Sequence, residues 1–343
     1  MPAPNPAPGE TVLTYDQFRA ELRTGGLMKR LFRAGESRLL VHRVSSAGRP
    51  LATALALHAV SRGSVAIEDA EGRRREISLG VLGRWIAEVA LEPLRVPNVV
   101  AGVAREVARL EAIVREPRKI TDIDLSASPL YLRTDLSFGI RAGGSVGHTA
   151  GVLNNLEHFT GPPVLITTDD IPTLDPRIEV VTVAPPDKYW NFRELPAFVL
   201  NATFEREVRR VAGERRVAFL YQRYSLSNYS GVAVSRALGV PLVLEFNGSE
   251  VWVSRHWGRP LKYDALSTRI ETLNLRAADL IVVVSEPIAA DLRRMGIAAE
   301  RVLVNPNGVD PTMYRPDVDG EKVRRAYRLD GRFVIGFIET FGP

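Results

Sequence analysis

The chain has 343 residues, 45 Lys+Arg against 40 Asp+Glu, a formal net charge of +5, and 45% hydrophobic and 25% charged residues. Those proportions exclude collagenous, disordered and disulfide-scaffold proteins and suit roughly two domains. There is no cysteine, which removes disulfides, thiolate metal ligands and a catalytic thiol.

The basic excess does not describe a nucleic-acid footprint. Arginines carry it, only five lysines occur, and acids are interleaved, as in Arg105-Glu106, Arg115-Glu116 and Glu205-Arg206-Glu207. Such dispersion belongs to a solvated surface rather than a groove that tracks phosphates, so no nucleic-acid partner is expected. The five histidines (His42, His58, His148, His158 and His256) include no His-x3-His or His-Glu-x-x-His pair, and no metal site is expected. Residues 1–14 open with a proline-rich stretch, expected to be a disordered tail, without the basic-then-apolar order of a signal peptide. No apolar run approaches the ~18 residues of a membrane helix. The expectation is a cytoplasmic protein, with room for peripheral contact at the inner face of the membrane.

In chain order, Tyr15 to Phe32 is predicted as a basic helix. Leu39–Val41 and Ser64–Ile67 are short strands separated by the apolar helix Leu51–Val60. The segment Ala66 to Ile77 is predicted as a hairpin turning at Glu71-Gly72. Val100, Val103, Val107, Leu110 and Val114 then recur at steps of three and four, giving one apolar helical face whose simplest use is packing within its own domain. Together these make a small α/β module over 15–120.

From Ser128 the texture changes to alternating strands and helices. Leu130–Leu132, Val164–Ile166, Val180–Val183, Val217–Tyr221, Leu242–Phe246 and Leu280–Val284 are short, continuously apolar runs. Continuous apolarity means both strand faces are buried, which predicts a doubly wound parallel α/β sheet covered by helices. Near the end, a helix over Glu321–Tyr327 leads to a strand at Phe333–Ile338, read as the first strand of a further domain cut off at Pro343. That exposed strand should promote self-association.

Three constellations carry chemistry. The first is Arg141 to Gly151, R-A-G-G-S-V-G-H-T-A-G, after the first large-sheet strand. Gly143, Gly144, Ser145 and Gly147 would let backbone amides and a helix N-terminus approach a phosphate, and His148, one turn into the helix, is either a satisfied surface or core histidine or a candidate base. A tight turn without a ligand explains the glycines equally well. The pattern is neither a P-loop nor G-x-G-x-x-G. The second is Leu242 to Trp252, where Asn247, Gly248 and Glu250 could hydrogen-bond sugar hydroxyls and Trp252 or Trp257 could stack on a sugar face. The alternative is an Asx turn and helix cap built by Ser249 or Asn247. Nearby in type, Tyr221 to Tyr229 is dense in donors, with Tyr224 beside Arg223, which could meet a phosphate. The third is Ser285 to Asp310. A helix capped by Ser285, with Pro287 in its first turn, ends at Gly296, and a short strand precedes Asn305-Pro306-Asn307-Gly308-Val309-Asp310.

That third constellation, with Pro316 after it, the G-G-x-x-x-H loop and the closing I-G-F-I-E-T-F-G, resembles family 4 of the retaining glycosyltransferases over about Ser128 to Pro343. The resemblance implies a GT-B fold. An N-terminal acceptor-side domain (128–315, Rossmann-like) would face a donor-binding domain, of which 316–343 would be the start. It implies hexosyl transfer from a nucleotide sugar to a glycan, lipid-linked or small-molecule acceptor, with retention and without metal or other cofactor. Polysaccharide or glycoconjugate biosynthesis would be its setting. Gly143 and Gly144 would approach the donor diphosphate. Asn305, Pro306, Asn307, Gly308 and Asp310 would form the hinge. The family commonly has His where Asn247 stands, and an amide cannot exchange a proton. Because the donor-side residues of the second domain would lie beyond Pro343, the 343-residue chain alone is expected to be inactive. Two other readings remain open at this level: a non-catalytic sugar- or nucleotide-binding half-domain, and a nicotinamide-dependent Rossmann enzyme. Asp169-Asp170 suits the latter but its glycine fingerprint is missing.

Overall fold

The computed structural model describes residues 9–41, 43–44, 47–115, 118, 123–140, 143–309, 311–312 and 315–336. The chain divides into two units, 1–306 and 307–343, and the break falls inside the Asn305–Asp310 segment.

The N-terminal part begins with α1 (Tyr15–Thr24). Thr14 and Gln17 form a reciprocal capping box there, and Gly25, at φ 72, ends the helix in a left-handed conformation. The expected helix to Phe32 therefore stops early, and a 3-10 turn over Gly26–Arg30 follows. Strands β1 (Ser37–Val41), β2 (Val65–Asp69) and β3 (Arg74–Glu76) form a three-stranded sheet, with α2 (Leu51–Val60) between β1 and β2. β1 and β2 are parallel, and β3 returns antiparallel through the expected turn at Gly72.

One helix then runs for 36 residues, α3 (Leu79–Val114), with Pro93 and Pro97 inside it. Its two ends serve different cores. Leu82 and Trp85 close a small core with Ala54, Val65, Ile67 and Ile77. Val103, Val107 and Leu110 join the main core with Leu132, Phe204 and Ile270. The apolar face read from the sequence is thus buried, but against the second sheet rather than within a 15–120 module. The middle is pinned by Glu92, whose buried Oε1 accepts the Tyr189 N–H at 2.9 Å.

The large sheet contains β4 (Ser128–Arg133), β5 (Val164–Thr167), β6 (Glu179–Thr182), β7 (Val217–Arg223), β8 (Leu242–Glu245), β9 (Leu280–Val283) and β10 (Val302–Val304). Their order is β10-β9-β8-β7-β4-β5-β6 and every neighbouring pair is parallel. This is the doubly wound α/β architecture expected from continuously apolar strands. Leu130, Leu132 and Leu220 face the core built with α3, α5 (Leu195–Gly213), α6 (Ser230–Leu238) and α8 (Asp264–Ala277). Tyr131, Leu165 and Tyr221 face the other way, against Val146, Ala150 and Leu153 of α4 (Gly144–Leu156). Strand order reverses between β4 and β7, because β5 and β6 grow to one side and β8 to β10 to the other. The carboxyl edge at that reversal is where doubly wound sheets open a ligand crevice.

Two short helices complete this unit. In α7 (Glu250–His256), Ser249 Oγ caps the start by accepting the Trp252 N–H at 3.0 Å. In α9 (Glu286–Arg294), Ser285 occupies the cap position in extended backbone, but its side chain makes no capping bond. Helix capping by Ser285 is therefore corrected. Pro287 sits in the first turn, and Gly296, at φ 83, follows the end.

The second unit contains α10 (Glu321–Ala326), started by Asp319 Oδ1 accepting the Glu321 N–H at 2.9 Å. Residues 333–336 form no strand, and Phe333 and Ile335 are 93% and 86% exposed. The rest of the expected Phe333–Ile338 strand lies outside the described residues.

Candidate active site

Glu245 ends β8, a strand otherwise made of Leu and Val. It is 1% exposed. Three side chains from other parts of the chain, and Asn247 two residues on, converge on its carboxylate or lie beside it. Tyr131 Oη, from β4, donates to Oε2 at 3.0 Å. His148 Nε2, one turn into α4, lies 3.2 Å from the same oxygen. Arg223, at the end of β7, pairs with Oε1, and Asn247 Nδ2 donates to Oε1 at 2.8 Å.

The register explains the convergence. Arg133, Arg223 and Glu245 are matched across β4, β7 and β8, so they form one row at the carboxyl edge and share the α4 face. Tyr131 and Tyr221 form the row beneath and stack with ring centroids 4.9 Å apart at 16°.

Burial by itself would raise the Glu245 pKa. His148, Arg223 and Asn247 outweigh it and hold the carboxyl at about 2, against an ordinary 4.5. Glu245 is therefore ionised near neutrality. The Tyr131 and Tyr221 hydroxyls move the opposite way, well above their usual range, through burial and then the adjacent Glu245 charge.

The loop after β4 is held from several directions. Arg133, fully buried, places Nε 2.9 Å from Asp135 Oδ2. Thr168 Oγ1 bonds the Asp135 carbonyl, and Asp169 Oδ2 accepts the Gly139 N–H at 2.6 Å. Gly143 ends this path at φ 127, a conformation that suits glycine, and occupies the N-cap position of α4. Among the described residues, a Cβ built on Gly143, Gly144 or Gly147 meets nothing beyond its own chain neighbours and helix within 4 Å. The glycine-rich turn thus adds no side chains of its own at the start of α4, and a helix N-terminus is a favourable setting for an anionic group. Ser145 lies in the first turn of the same helix.

On the β8 side, Gly248, at φ 130, turns the chain into α7. Ser249 both caps α7 and donates to Glu271 Oε1 on α8 at 2.6 Å. The Ser249 half of the capping alternative is therefore the one realised, while Asn247 spends its amide on Glu245. Glu250 is the first residue of α7, and its carboxyl is raised by desolvation, opposed by Arg223. Trp252 and Trp257 are half-exposed and exposed, perpendicular to each other at 5.2 Å.

Some expected site residues have other duties. Tyr224 is buried against Phe246 at 5.7 Å and belongs to the core, which takes its ring out of a sugar-binding role. Ser227 and Asn228, part of the same donor-rich segment, are buried and serve the fold. Asn201 Nδ2 donates to Ser227 O at 3.0 Å, and Asn274 Nδ2 donates to Asn228 O at 2.8 Å. Arg223, expected to meet a phosphate, is instead paired with Glu245. Asn305 continues the ladder past β10 by donating to Val283 O at 2.8 Å. Pro306, Asn307 and Gly308 follow without regular structure, and Asp310 lies outside the described residues.

The sequence did not single out Tyr131, Arg133 or Asp135, and Glu245 figured in it only as part of the apolar run Leu242–Phe246. The available signal was a charged residue closing each of three buried strands, at Arg133, Arg223 and Glu245.

Comparison with known proteins bears on this part of the chain. Residues 143–308 match the profile of the glycosyl transferase 4-like domain. The match begins at the Gly143 turn and ends in the Asn305–Asp310 segment, so the matched stretch includes His148, Arg223, Glu245, Asn247 and Glu250. A GDP-mannose-dependent alpha-mannosyltransferase of Mycobacterium tuberculosis (strain CDC 1551 / Oshkosh) is 26% identical over 204 residues, which cover 57% of this chain and 53% of that protein. Sucrose-phosphate synthase from Thermosynechococcus elongatus aligns with a TM-score of 0.47 at 17% identity, over 59% of this chain and 53% of that one. Anabaena Alr3699/HepE in complex with UDP-glucose aligns at 0.40 and 17% identity, over 60% and 50%. The chain spans about half the length of the relatives it matches. Among the described residues, no helix is long and apolar enough to cross a membrane.

Proposed function

We propose that the glycosyltransferase domain supplies the acceptor-side half of an enzyme that moves a hexosyl group from a nucleotide sugar to a hydroxyl acceptor. The observation that carries the reading is the Gly143–Gly147 turn leading into the N-terminus of α4, set at the carboxyl edge where strand order reverses and followed by His148 of the His148–Glu245–Arg223 cluster. Sugar transfer from a diphosphate needs stabilisation of a departing dianionic group, an oxocarbenium-like centre and exclusion of water. Backbone amides at the start of α4 meet the first need. The fixed carboxylate of Glu245, with its donors, provides a preorganised polar wall. Because the mannosyltransferase relative is named for GDP-mannose, that donor is the first to test. Retention of configuration, independence of metal, a glycan or lipid-linked acceptor, polysaccharide or glycoconjugate biosynthesis and a cytoplasmic place at the membrane's inner face belong to the same proposal. The Asn305–Gly308 segment would lead towards the donor side.

The test uses the intact gene product, including any residues encoded beyond 343, with a panel of nucleotide sugars and a broad acceptor mixture. A product from one donor, undiminished by a chelator and with the donor's anomeric configuration, is the expected result. Donor binding without any product would support the half-domain binder instead.

A further inference from the structure

The positive charge of this chain is not evenly held. Residues 15–98 contain fourteen of its Lys+Arg and nine of its Asp+Glu, so the entire formal excess of +5 lies there. Seven of those nine acids, Glu21, Glu36 and Glu88 among them, stand in ion pairs, and Glu92 is buried against the Tyr189 N–H. Only Asp16 is left over. On the basic side, Arg19, Arg23, Lys29 and Arg33 are exposed and make no ion pair among the described residues. Arg62, Arg84 and Arg95 are in the same condition.

Exposed apolar side chains occupy the same region. No residue of α1 or of the 3-10 turn after it is buried. At helical spacing Tyr15, Phe18 and Leu22 fall on one stripe of α1, with Arg19 and Arg23 along its flank. Met28 and Phe32, past the end of α1, are 69% and 58% exposed. Phe32 lines one groove together with Leu79, the first residue of α3. From Leu79 a second stripe runs along α3 through Gly83, Ile86, Ala90 and Leu94, at steps of three and four, and all of these are exposed. Leu82 and Trp85, on a different side of the helix, are the ones that pack on the small sheet.

We infer that this face, made of α1, Phe32 and the outer stripe of α3, docks on an anionic lipid surface. The inference goes beyond the transfer reaction and does not depend on it, because the face lies outside the matched stretch 143–308. Two features choose the occupant. Unpaired cations beside exposed aliphatic and aromatic side chains match the headgroup charge and the acyl boundary of a bilayer, as in amphipathic helices that lie in the interface. A second copy of the chain would set these unpaired positive charges against their own kind, which opposes pairing. A nucleic acid would use the cations and leave the Leu, Ile and Phe side chains in water. The contact is interfacial, since among the described residues no helix is long and apolar enough to cross a membrane.

The test is flotation of the intact gene product with vesicles, in which lipid-bound protein rises and aggregates do not. Vesicles of phosphatidylcholine with about one-third phosphatidylglycerol should carry the protein upward at ~0.1 M salt and release it at ~1 M, where screening is nearly complete. Phosphatidylcholine alone should carry little. Arg19→Gln, Arg23→Gln, Lys29→Gln and Arg33→Gln together should weaken partitioning by about 10²-fold or more, each cation near the surface being worth roughly fivefold. Met28→Ser with Phe32→Ser should weaken it about tenfold or more at unchanged charge. All six positions are exposed, and circular dichroism should show the fold intact. As a control, Gln at Arg206, Arg259, Lys262 and Arg276, exposed and without ion pairs in the large-sheet part, removes the same charge and should change partitioning by less than about threefold. Absence of flotation, equal flotation on both vesicle types, or an equal loss in the control overturns the inference. Salt-sensitive binding to a DNA duplex in place of flotation would give the face to a nucleic acid. Dimerisation abolished by the Met28/Phe32 pair, without flotation, would give it to a second copy. Flotation without any sugar transfer upholds the inference and counts only against the transferase reading.

Discussion

Replacing Glu245 with glutamine isolates the electrostatics of the site, because the amide keeps the shape and loses the charge. The folded carboxyl titrates at about 2 and the unfolded one near its ordinary 4.5. A group depressed on folding contributes stability above its unfolded pKa and loses it as pH falls towards the folded value. The gap corresponds to about 3 kcal/mol, present in full near pH 6. By pH 3 about 2 kcal/mol of it is gone, because the unfolded carboxyl is by then almost wholly protonated while the folded one is still mostly ionised. Glu245→Gln should therefore be less stable than the unaltered chain by about 3 kcal/mol near pH 6 and by only about 1 kcal/mol at pH 3. Urea denaturation of both proteins at the two pH values, followed by tryptophan fluorescence, measures the difference while other carboxylates cancel. A difference that stays constant between pH 6 and pH 3 would refute the ionised, paired state of Glu245.

Two further outcomes are expected. Gly144→Val adds a Cβ that, among the described residues, meets nothing beyond its own chain neighbours and helix within 4 Å, in a helix where valine is no worse than glycine. Melting should move by only a few degrees while turnover of the intact gene product collapses, and unchanged turnover would reduce the loop to a connector. Phe333→Ser combined with Ile335→Ser removes two nearly fully exposed apolar side chains, each worth about 1.5–3 kcal/mol when buried against a partner. Light scattering should record less self-association of the 343-residue chain, and equal scattering would show that these side chains drive none.

The large sheet was legible because its strands are uninterrupted apolar runs. Leu130–Leu132, Val164–Ile166 and Leu280–Val284 each fall inside or within a residue of an observed strand, since a strand covered on both faces has no polar period to disguise it. The Gly143 turn was legible as well, through the glycine that its left-handed φ requires. The Glu245 cluster was not. Tyr131, His148, Arg223 and Glu245 span 114 positions and meet only because β7 inserts between β4 and β8, a fact of strand order that no local pattern records. Donor-rich Tyr221 to Tyr229 misled for the converse reason. Its Ser and Asn groups bond to Asn201, Ser267 and Asn274 from distant helices, so polarity that looked solvent- or ligand-facing is internal. The end of α1 at Gly25, rather than at Phe32, was set by a single glycine inside a pattern that otherwise continues.

Helix α3 has a consequence for anyone cutting or rearranging this gene. A deletion of residues 15–120, the boundary that composition suggests, would strip Val103, Val107 and Leu110 from the main core together with the Glu111–Arg269 ion pair at 2.7 Å. Those three side chains alone amount to roughly 5–9 kcal/mol of burial, comparable with the entire stability of an ordinary domain. The remainder would carry an open trough between α5 and α8 and would not be expected to stay folded. The natural seam lies inside the helix, at the Pro93–Pro97 stretch. Ahead of it Leu82 and Trp85 belong to the small sheet, and beyond it every buried residue belongs to the large one. A split or permuted version joined there keeps both cores whole.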